Sequence, residues 1–216
     1  MQLIDSFRHQ GLRRKLIDEL RLKGIKDEKV LEAMYKVPRH FFMDNTFLEF
    51  AYQDKAFPIE AGQTISQPYT VAFQTQLLQI EKGQKILEIG TGSGYQACIL
   101  EKMGAKVFTI ERHKALFQKT KKLLGALNSN IKTFFGDGFK GIPAFAPFDK
   151  IIITCGAPSA PIELLKQLKT SGLMAVPVGG SKGQTMTTII KKDEQHHEII
   201  ELGRFNFVPM LKDKVN

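Results

Sequence analysis

The stretch KILEIGTGSGYQ, Lys85 to Gln96, decides the fold of this chain. A short apolar run that carries one acid, Glu88, leads into three glycines at alternate positions, Gly90, Gly92 and Gly94, and then into a helix-like segment. A buried strand, a glycine turn and a helix N-terminus form the nucleotide-binding entry of an α/β fold. Because glycine has no Cβ, the backbone can turn sharply there and a ligand can lie against it.

The spacing of the glycines narrows the class of ligand. The dinucleotide fingerprint G-x-G-x-x-G needs its third glycine at position 95, which is Tyr95 in this chain. The pattern E-x-G-x-G-x-G instead resembles motif I of the class I S-adenosylmethionine (SAM) methyltransferases. SAM carries an amino acid moiety and no phosphate, so Glu88 could meet its ammonium group directly or through water. For the loop alone, a glycine-rich turn without a ligand is the alternative.

Length and composition fit one globular domain, with room for a small appendage. The chain has 216 residues, of which 43% are hydrophobic and 25% charged. We expect no membrane segment, because no apolar run reaches spanning length. Cys98 and Cys155 show neither metal-ligand spacing nor a disulfide framework, which favours a reducing cytoplasm and no bound metal. The net charge of +9 permits nucleic-acid contact, but the basic residues are scattered, and we predict no nucleic-acid partner.

The region before the glycine loop predicts helices and then a long loop. Residues 2–43 read as two or three short helices, with a stop at Lys23-Gly24 and a cap at Asp27; His40 among them is expected to be packed or on the surface. The segment from Asn45 to Ser66 is irregular, and loops of this length are usually functional or mobile. Ser66 is placed to cap the helix that follows. We therefore divide the chain into residues 1–65, a helical addition with an active-site loop, and residues 66–216, the main domain, within one structural unit.

Two further acids stand at the ends of later strands. Glu111 ends a predicted second strand, where an acid about 20 residues beyond the glycine loop is expected to hold ribose hydroxyls; a surface glutamate is the alternative. Asp137 lies in GDG after a third strand at 131–135, where it suits recognition of an adenine amino group beside a backbone amide; a turn former is the alternative. Further strands are predicted at 151–154 and 173–180, with a closing pair at 187–191 and 198–202. Cys155 is interpreted as a packing residue.

Over nearly its whole length the chain resembles the protein-L-isoaspartate O-methyltransferases. The matching stretches are VPRHFF, AYQDKAFPI, GQTISQP, EIGTGSGYQA, GDG, FDKIIIT, VPVGG and FVP. The most specific of them is GQTISQP joined to GTGSGYQ. The resemblance implies an α/β fold, a Rossmann-like SAM-binding sheet with helices on both faces and an N-terminal helical addition.

The resemblance also implies the site residues. Ser66 is expected to be the active-site residue, with Thr64 and Ser66 near the methyl donor. The residues expected to bind SAM are Glu88, Gly90, Gly92, Gly94, Glu111, Asp137 and Gly138. Two departures from the family pattern are Glu60, where glycine is usual, and Cys155-Gly156, where alanine-rich sequence is usual. Glu60 adds negative charge near a loop expected to meet an acidic substrate.

The implied reaction is methyl transfer from SAM to the free carboxyl of L-isoaspartyl, and D-aspartyl, residues in damaged proteins and peptides. The ester then collapses to a succinimide, which initiates repair. A carboxyl of pKa about 4 is already an anion at neutral pH, so no general base is needed, and Ser66 would orient the acceptor. We expect a cytoplasmic monomer. Three alternatives are a SAM-dependent enzyme acting on RNA or a small molecule, a non-catalytic SAM-binding protein, and an NAD oxidoreductase, which Tyr95 disfavours.

Overall fold

The computed structural model describes residues 3–216 and begins with two helices. These are α1, Phe7–Leu22, and α2, Glu28–Lys36. Asp27 caps α2, because its side chain accepts hydrogen bonds from two backbone N–H groups of the first turn. Gly24 has a φ of 96°, which suits the chain reversal after α1. The predicted stop at Lys23-Gly24 and the predicted cap at Asp27 are confirmed.

The segment predicted as an irregular loop contains short ordered elements. A 3₁₀ turn at Asn45–Phe50 is followed by a second at Glu60–Gly62. A two-stranded hairpin pairs β1, Phe57–Pro58, with β2, Thr64–Ile65. The hairpin fixes the end of this segment, so the residue that follows β2, Ser66, has a defined position.

A mixed sheet of seven strands forms the centre of the molecule. Its strands are β3 Lys85–Ile89, β4 Lys106–Glu111, β5 Lys132–Phe135, β6 Phe148–Ile153, β7 Leu168–Gly180, β8 Gly183–Lys191 and β9 His197–Phe205. Their order is β5-β4-β3-β6-β7-β8-β9; the first five are parallel, and β8 runs antiparallel to both neighbours. Each predicted strand is present, although β7 begins five residues before the predicted start at Leu173. Strand order reverses between β3 and β6, which opens a crevice at their carboxyl ends.

Helices cover both faces of this sheet, as the resemblance implies. They are α3 Pro68–Leu77, α4 Tyr95–Lys102, α5 Lys114–Ala126 and α6 Ile162–Lys166. Successive strand residues point to opposite faces. Leu87 and Ile89 of β3 share a buried cluster with Leu164 of α6, whereas Ile86 shares one with Leu100 of α4. None of the helices in the described residues is long and apolar enough to cross a membrane.

The N-terminal helices pack on the helices of the main domain. Leu20 of α1 and Leu31 of α2 belong to the same buried cluster as Val71 of α3, Tyr95 of α4 and Leu124 of α5. This cluster spans both sides of the predicted boundary at residue 65. The helical addition therefore holds the segment that ends at Ser66 against the start of α4.

Candidate active site

A glycine turn joins β3 to α4 at the carboxyl edge of the sheet. Gly90 and Gly94 have φ values of 95° and 85°, which other residues rarely adopt. A Cβ at Gly90 would lie 2.7 Å from Thr154 Oγ1, and a Cβ at Gly94 would lie 2.8 Å from Thr120 Cγ2. Conformation and close packing together require glycine at both positions.

A cavity lies beside this turn, where the strand order reverses. Six of the predicted site residues line it: Thr64, Ser66, Gly90, Gly92, Glu111 and Gly138. The other three, Glu88, Gly94 and Asp137, are not among the lining residues in the described part of the chain. Gly94 instead begins α4. The fold therefore brings together residues from the active-site loop and from the ends of β3, β4 and β5.

Glu111 is buried in the cavity wall and organises the glycine turn. Its Oε2 accepts a hydrogen bond from the backbone N–H of Gly92 at 2.9 Å. Its Oε1 accepts one from the N–H of His113, also at 2.9 Å. A carboxylate has about four acceptor sites, so each oxygen can accept a further bond from a ligand hydroxyl. The two backbone bonds hold the carboxylate in one orientation.

Glu88 lies within the sheet rather than on the cavity wall. Its side chain is fully buried and accepts a hydrogen bond from the Thr109 hydroxyl, while its Oε1 has no partner among the described residues. Burial raises the pKa of Glu88 to about 8, with a further contribution from the charge of Glu111. Thr109 Oγ1 is 2.7 Å from the hydroxyl of Thr91, which lines the cavity. In the part of the chain that the structure describes, these two hydroxyls connect Glu88 to the cavity.

Asp137 shapes the turn that presents Gly138. Its carboxylate accepts a hydrogen bond from the N–H of Phe139 at 2.9 Å and so caps a 3₁₀ turn. A Cβ on Gly138 would lie 2.5 Å from Ile89 Cγ2 and 3.5 Å from Met210 Cε. The observed contact of Asp137 is therefore that of a turn former. Gly138 lines the cavity and is the residue of this turn that a ligand would contact.

Ser66 does not cap α3, so that prediction is wrong. Asp54 caps the helix instead, because its Oδ1 accepts a hydrogen bond from the N–H of Tyr69 at 2.7 Å. Its Oδ2 binds the Gln67 side-chain amide at 3.1 Å and the Lys23 ammonium at 2.6 Å. Because a carboxylate from the preceding loop satisfies the helix terminus, the Ser66 hydroxyl is not needed there. Ser66 lines the cavity instead.

A second cavity adjoins the first at the active-site loop. Four residues line both: Thr64, Ser66, Thr154 and Val208. Ser66 therefore stands at the junction between the cavity beside the glycine turn and a neighbouring space.

Sequence reasoning missed the C-terminal segment that forms part of the wall of the first cavity. Residues 208–211 line it together with Arg112 and His113. Gly156 holds this segment, donating its N–H to the Val208 carbonyl and accepting from the Met210 N–H, both at 2.8 Å. The only signal in the sequence was the family resemblance at FVP, Phe207 to Pro209, which by itself assigned no site residue.

The two family departures have local explanations. Glu60 pairs with Lys119 of α5 at 2.6 Å, so a cation offsets its charge, although the pair is exposed and weak. Cys155 lines the cavity, and burial raises the pKa of its thiol to about 12. A thiol that stays protonated is a poor nucleophile, which agrees with a packing role.

A group of Asp5, His9 and His40 lies away from the cavity, with ligand atoms within 4.8 Å of one another. Arg13 donates to both oxygens of Asp5, at 3.0 and 2.8 Å. The ring nitrogens of His40 contact the Tyr52 hydroxyl at 2.7 Å and the Ile4 carbonyl at 3.1 Å. Asp5 and His40 therefore have hydrogen-bond partners within the protein, whereas the buried Nδ1 of His9 has none among the described residues. His40 is buried, in agreement with the packed alternative.

Comparison with known proteins gives one consistent family. The family model for protein-L-isoaspartate(D-aspartate) O-methyltransferase matches residues 11–215. Proteins named protein-L-isoaspartate O-methyltransferase from Christiangramia forsetii and Flavobacterium johnsoniae are each 56% identical over 211 residues, covering 97% of this chain and 99% of theirs. A solved structure of that name superposes with a TM-score of 0.83 at 28% identity; the match covers 91% of this chain and 65% of that one. The chain belongs to the protein-L-isoaspartate(D-aspartate) O-methyltransferase family.

Proposed function

We propose that this protein transfers a methyl group from SAM to the free carboxyl of L-isoaspartyl residues in damaged proteins and peptides. The ester collapses to a succinimide, and this initiates repair. Family membership over residues 11–215 supports the reaction class. The observation that carries the proposal is a single cavity lined by Ser66, the glycine turn and Glu111.

The cavity residues fit the methyl donor. Gly90 and Gly138 line the cavity and have no side chain, so a ligand can lie directly against the backbone there. We assign the ribose hydroxyls to Glu111, because each of its oxygens keeps acceptor capacity. We assign the adenine to the turn of Asp137 and Gly138, and the amino acid moiety to Gly90 and Gly92. Glu88 supports the wall beside the amino acid moiety through the hydroxyls of Thr109 and Thr91.

The catalytic work of the chain is positioning. Bound SAM supplies an electrophilic methyl group on a sulfonium centre. The acceptor carboxylate is ionised at neutral pH, so no side chain has to remove a proton. The Ser66 hydroxyl donates a hydrogen bond that orients this carboxylate, and holding two reactants in line can lower a barrier by up to about 7–11 kcal/mol. The C-terminal segment 208–211 forms part of the wall against which the reactants are held.

We also propose that the protein works as a cytoplasmic monomer on isoaspartyl-containing proteins. Cys98 and Cys155 are free thiols, which suits a reducing compartment. Size-exclusion chromatography coupled to light scattering tests the monomer; a mass near twice 24.3 kDa would contradict it.

A methyl-transfer assay with tritiated SAM tests the reaction. The acceptors are an isoaspartyl peptide, the aspartyl peptide of the same sequence, and bulk RNA. We expect label only in the isoaspartyl peptide, as a base-labile ester. Equal labelling of the aspartyl peptide, or labelling of RNA alone, would contradict the proposal. Binding of S-adenosylhomocysteine without any transfer would indicate a non-catalytic SAM-binding protein.

A further inference from the structure

The second cavity is lined by aromatic rings, and we call it the aromatic groove. Its aromatic residues are Tyr69, Phe73, Phe205 and Phe207, and its volume is about 570 Å³. This volume is within the roughly 300–1,000 Å³ that is typical of small-ligand sites, and polar side chains such as Gln67, Thr70 and Asn206 line the groove beside the rings. The groove shares Thr64, Ser66, Thr154 and Val208 with the first cavity. A group bound in the groove would therefore sit directly beside Ser66.

The rings of the groove pack against one another and stay partly exposed. The Phe205 ring lies 5.1 Å from Phe73 and stacks on Tyr69 at 6.5 Å and 12°. Phe207 approaches Phe205 at 6.5 Å. All four side chains are half-buried, so each ring still presents apolar surface to the open space. Tyr69 and Phe73 belong to α3, while Phe205 ends β9, so two independent elements form the wall.

The charge around the groove is one-sided. Arg204 is the charged residue that lines it within the described chain, and its guanidinium donates to the Lys182 carbonyl at 3.1 Å. No carboxylate of residues 3–216 lines the groove. The four rings therefore offer contacts to an apolar or aromatic group, and a cation there would meet Arg204 without a compensating acid.

We propose that the aromatic groove binds the side chain adjacent to the isoaspartyl residue and selects apolar and aromatic side chains at that position. The inference rests on the proposed function, because Ser66 at the junction is the point to which the isoaspartyl carboxyl is steered. One residue of extended chain spans about 3.3–3.6 Å, so a neighbouring side chain reaches a cavity that begins at Ser66. Phe205 and Tyr69 are the specificity-determining residues.

Two peptide series test this specificity. In each, an isoaspartyl peptide carries Phe, Leu, Ser or Lys, either directly before or directly after the isoaspartyl residue. We expect kcat/KM for the Phe peptide to exceed that for the Ser peptide about tenfold in one series, with Leu intermediate and Lys lowest. Equal kcat/KM for Phe, Leu and Ser in both series would overturn the inference while leaving the proposed function intact. Absence of methylation on every isoaspartyl peptide would contradict the proposed function itself.

Variants of the groove assign the preference to its wall. Phe205→Ser is expected to reduce the Phe-to-Ser ratio to about two, with the Ser peptide affected less than threefold. Phe205→Leu should keep part of the preference. Phe117→Ser is the matched control: this half-buried ring packs on Phe135 at 5.9 Å, outside the groove, and its removal should leave the ratio unchanged. If Phe205→Ser does not fold, Tyr69→Ser tests the opposite wall, and an unchanged ratio there counts against the proposal.

Discussion

Ser66 lines both cavities, and it is Asp54 that binds the backbone at the start of α3. Asp54 satisfies the backbone at the start of α3, the task that local sequence assigned to Ser66. A serine at a helix start usually binds the helix backbone. Here the carboxylate of Asp54 binds the helix backbone instead, and we propose that the serine hydroxyl orients the acceptor.

Ser66→Ala removes this orienting donor. A hydrogen bond to a charged group is worth about 1.5–3 kcal/mol, so turnover on an isoaspartyl peptide should fall roughly 10- to 150-fold. The Kd for S-adenosylhomocysteine, measured by calorimetry, should change less than about threefold. Ser181→Ala, in the exposed turn between β7 and β8, is the control and should behave as wild type. Unchanged turnover in Ser66→Ala would remove this side chain from the mechanism.

Glu88 makes the stability of the ligand-free protein depend on pH. Its pKa is raised to about 8 in the folded state, against about 4.3 in an unfolded chain. Between these pH values the folded protein retains a proton that the unfolded chain has released, so the free energy of unfolding falls as pH rises and levels off above about 8.

Glu88→Gln cannot ionise and provides the test. The difference in the free energy of unfolding, variant minus wild type, should move in favour of the variant between pH 5 and pH 8 and then stay constant. Urea denaturation at intervals of one pH unit measures it. A difference that does not vary with pH would show that Glu88 titrates normally.

At the level of elements, Asp54 connects α1, the active-site loop and α3. Asp54→Ala should lower the free energy of unfolding by about 0.5–2 kcal/mol through loss of the cap. It should also lower turnover, because Ser66 lies only two residues before α3. Asp27→Ala is the matched control, since Asp27 caps α2 away from the cavity. It should cost a similar amount of stability and leave kcat unchanged. Equal kcat losses in both variants would mean that Asp54 acts only through global stability.

The junction of β3 and α4 depends on Gly94. Gly94→Ala forces a side chain into positive φ and against Thr120, which should cost about 2 kcal/mol or more. Gly125→Ala should instead stabilise the protein by about 0.5–1 kcal/mol, because that glycine lies within α5 with open space around it. Chemical denaturation of both variants measures the two changes in the free energy of unfolding, which should have opposite signs. An unchanged free energy of unfolding in Gly94→Ala would contradict the packing argument.

For the molecule as a whole, patterns within short segments were readable from the sequence, and contacts between distant segments were not. The order strand, glycine turn and helix around Gly90 follows from local spacing, and so does the acid that ends β4. The cap of α3 depends on Asp54, fifteen residues before Tyr69. The position of residues 208–211 at the cavity wall depends on backbone hydrogen bonds from this segment to Gly156. The hydrogen bond of buried Glu88 comes from Thr109 in a neighbouring strand. No periodicity in the chain encodes such pairings.

The most direct test is a crystal structure of the protein with S-adenosylhomocysteine and an isoaspartyl peptide. We expect the ribose hydroxyls to bind Glu111, the sulfur to lie at the carboxyl ends of β3 and β6, and the isoaspartyl carboxylate to lie within hydrogen-bonding distance of Ser66. Empty strand ends at saturating ligand, or a carboxylate bound out of reach of Ser66, would contradict it.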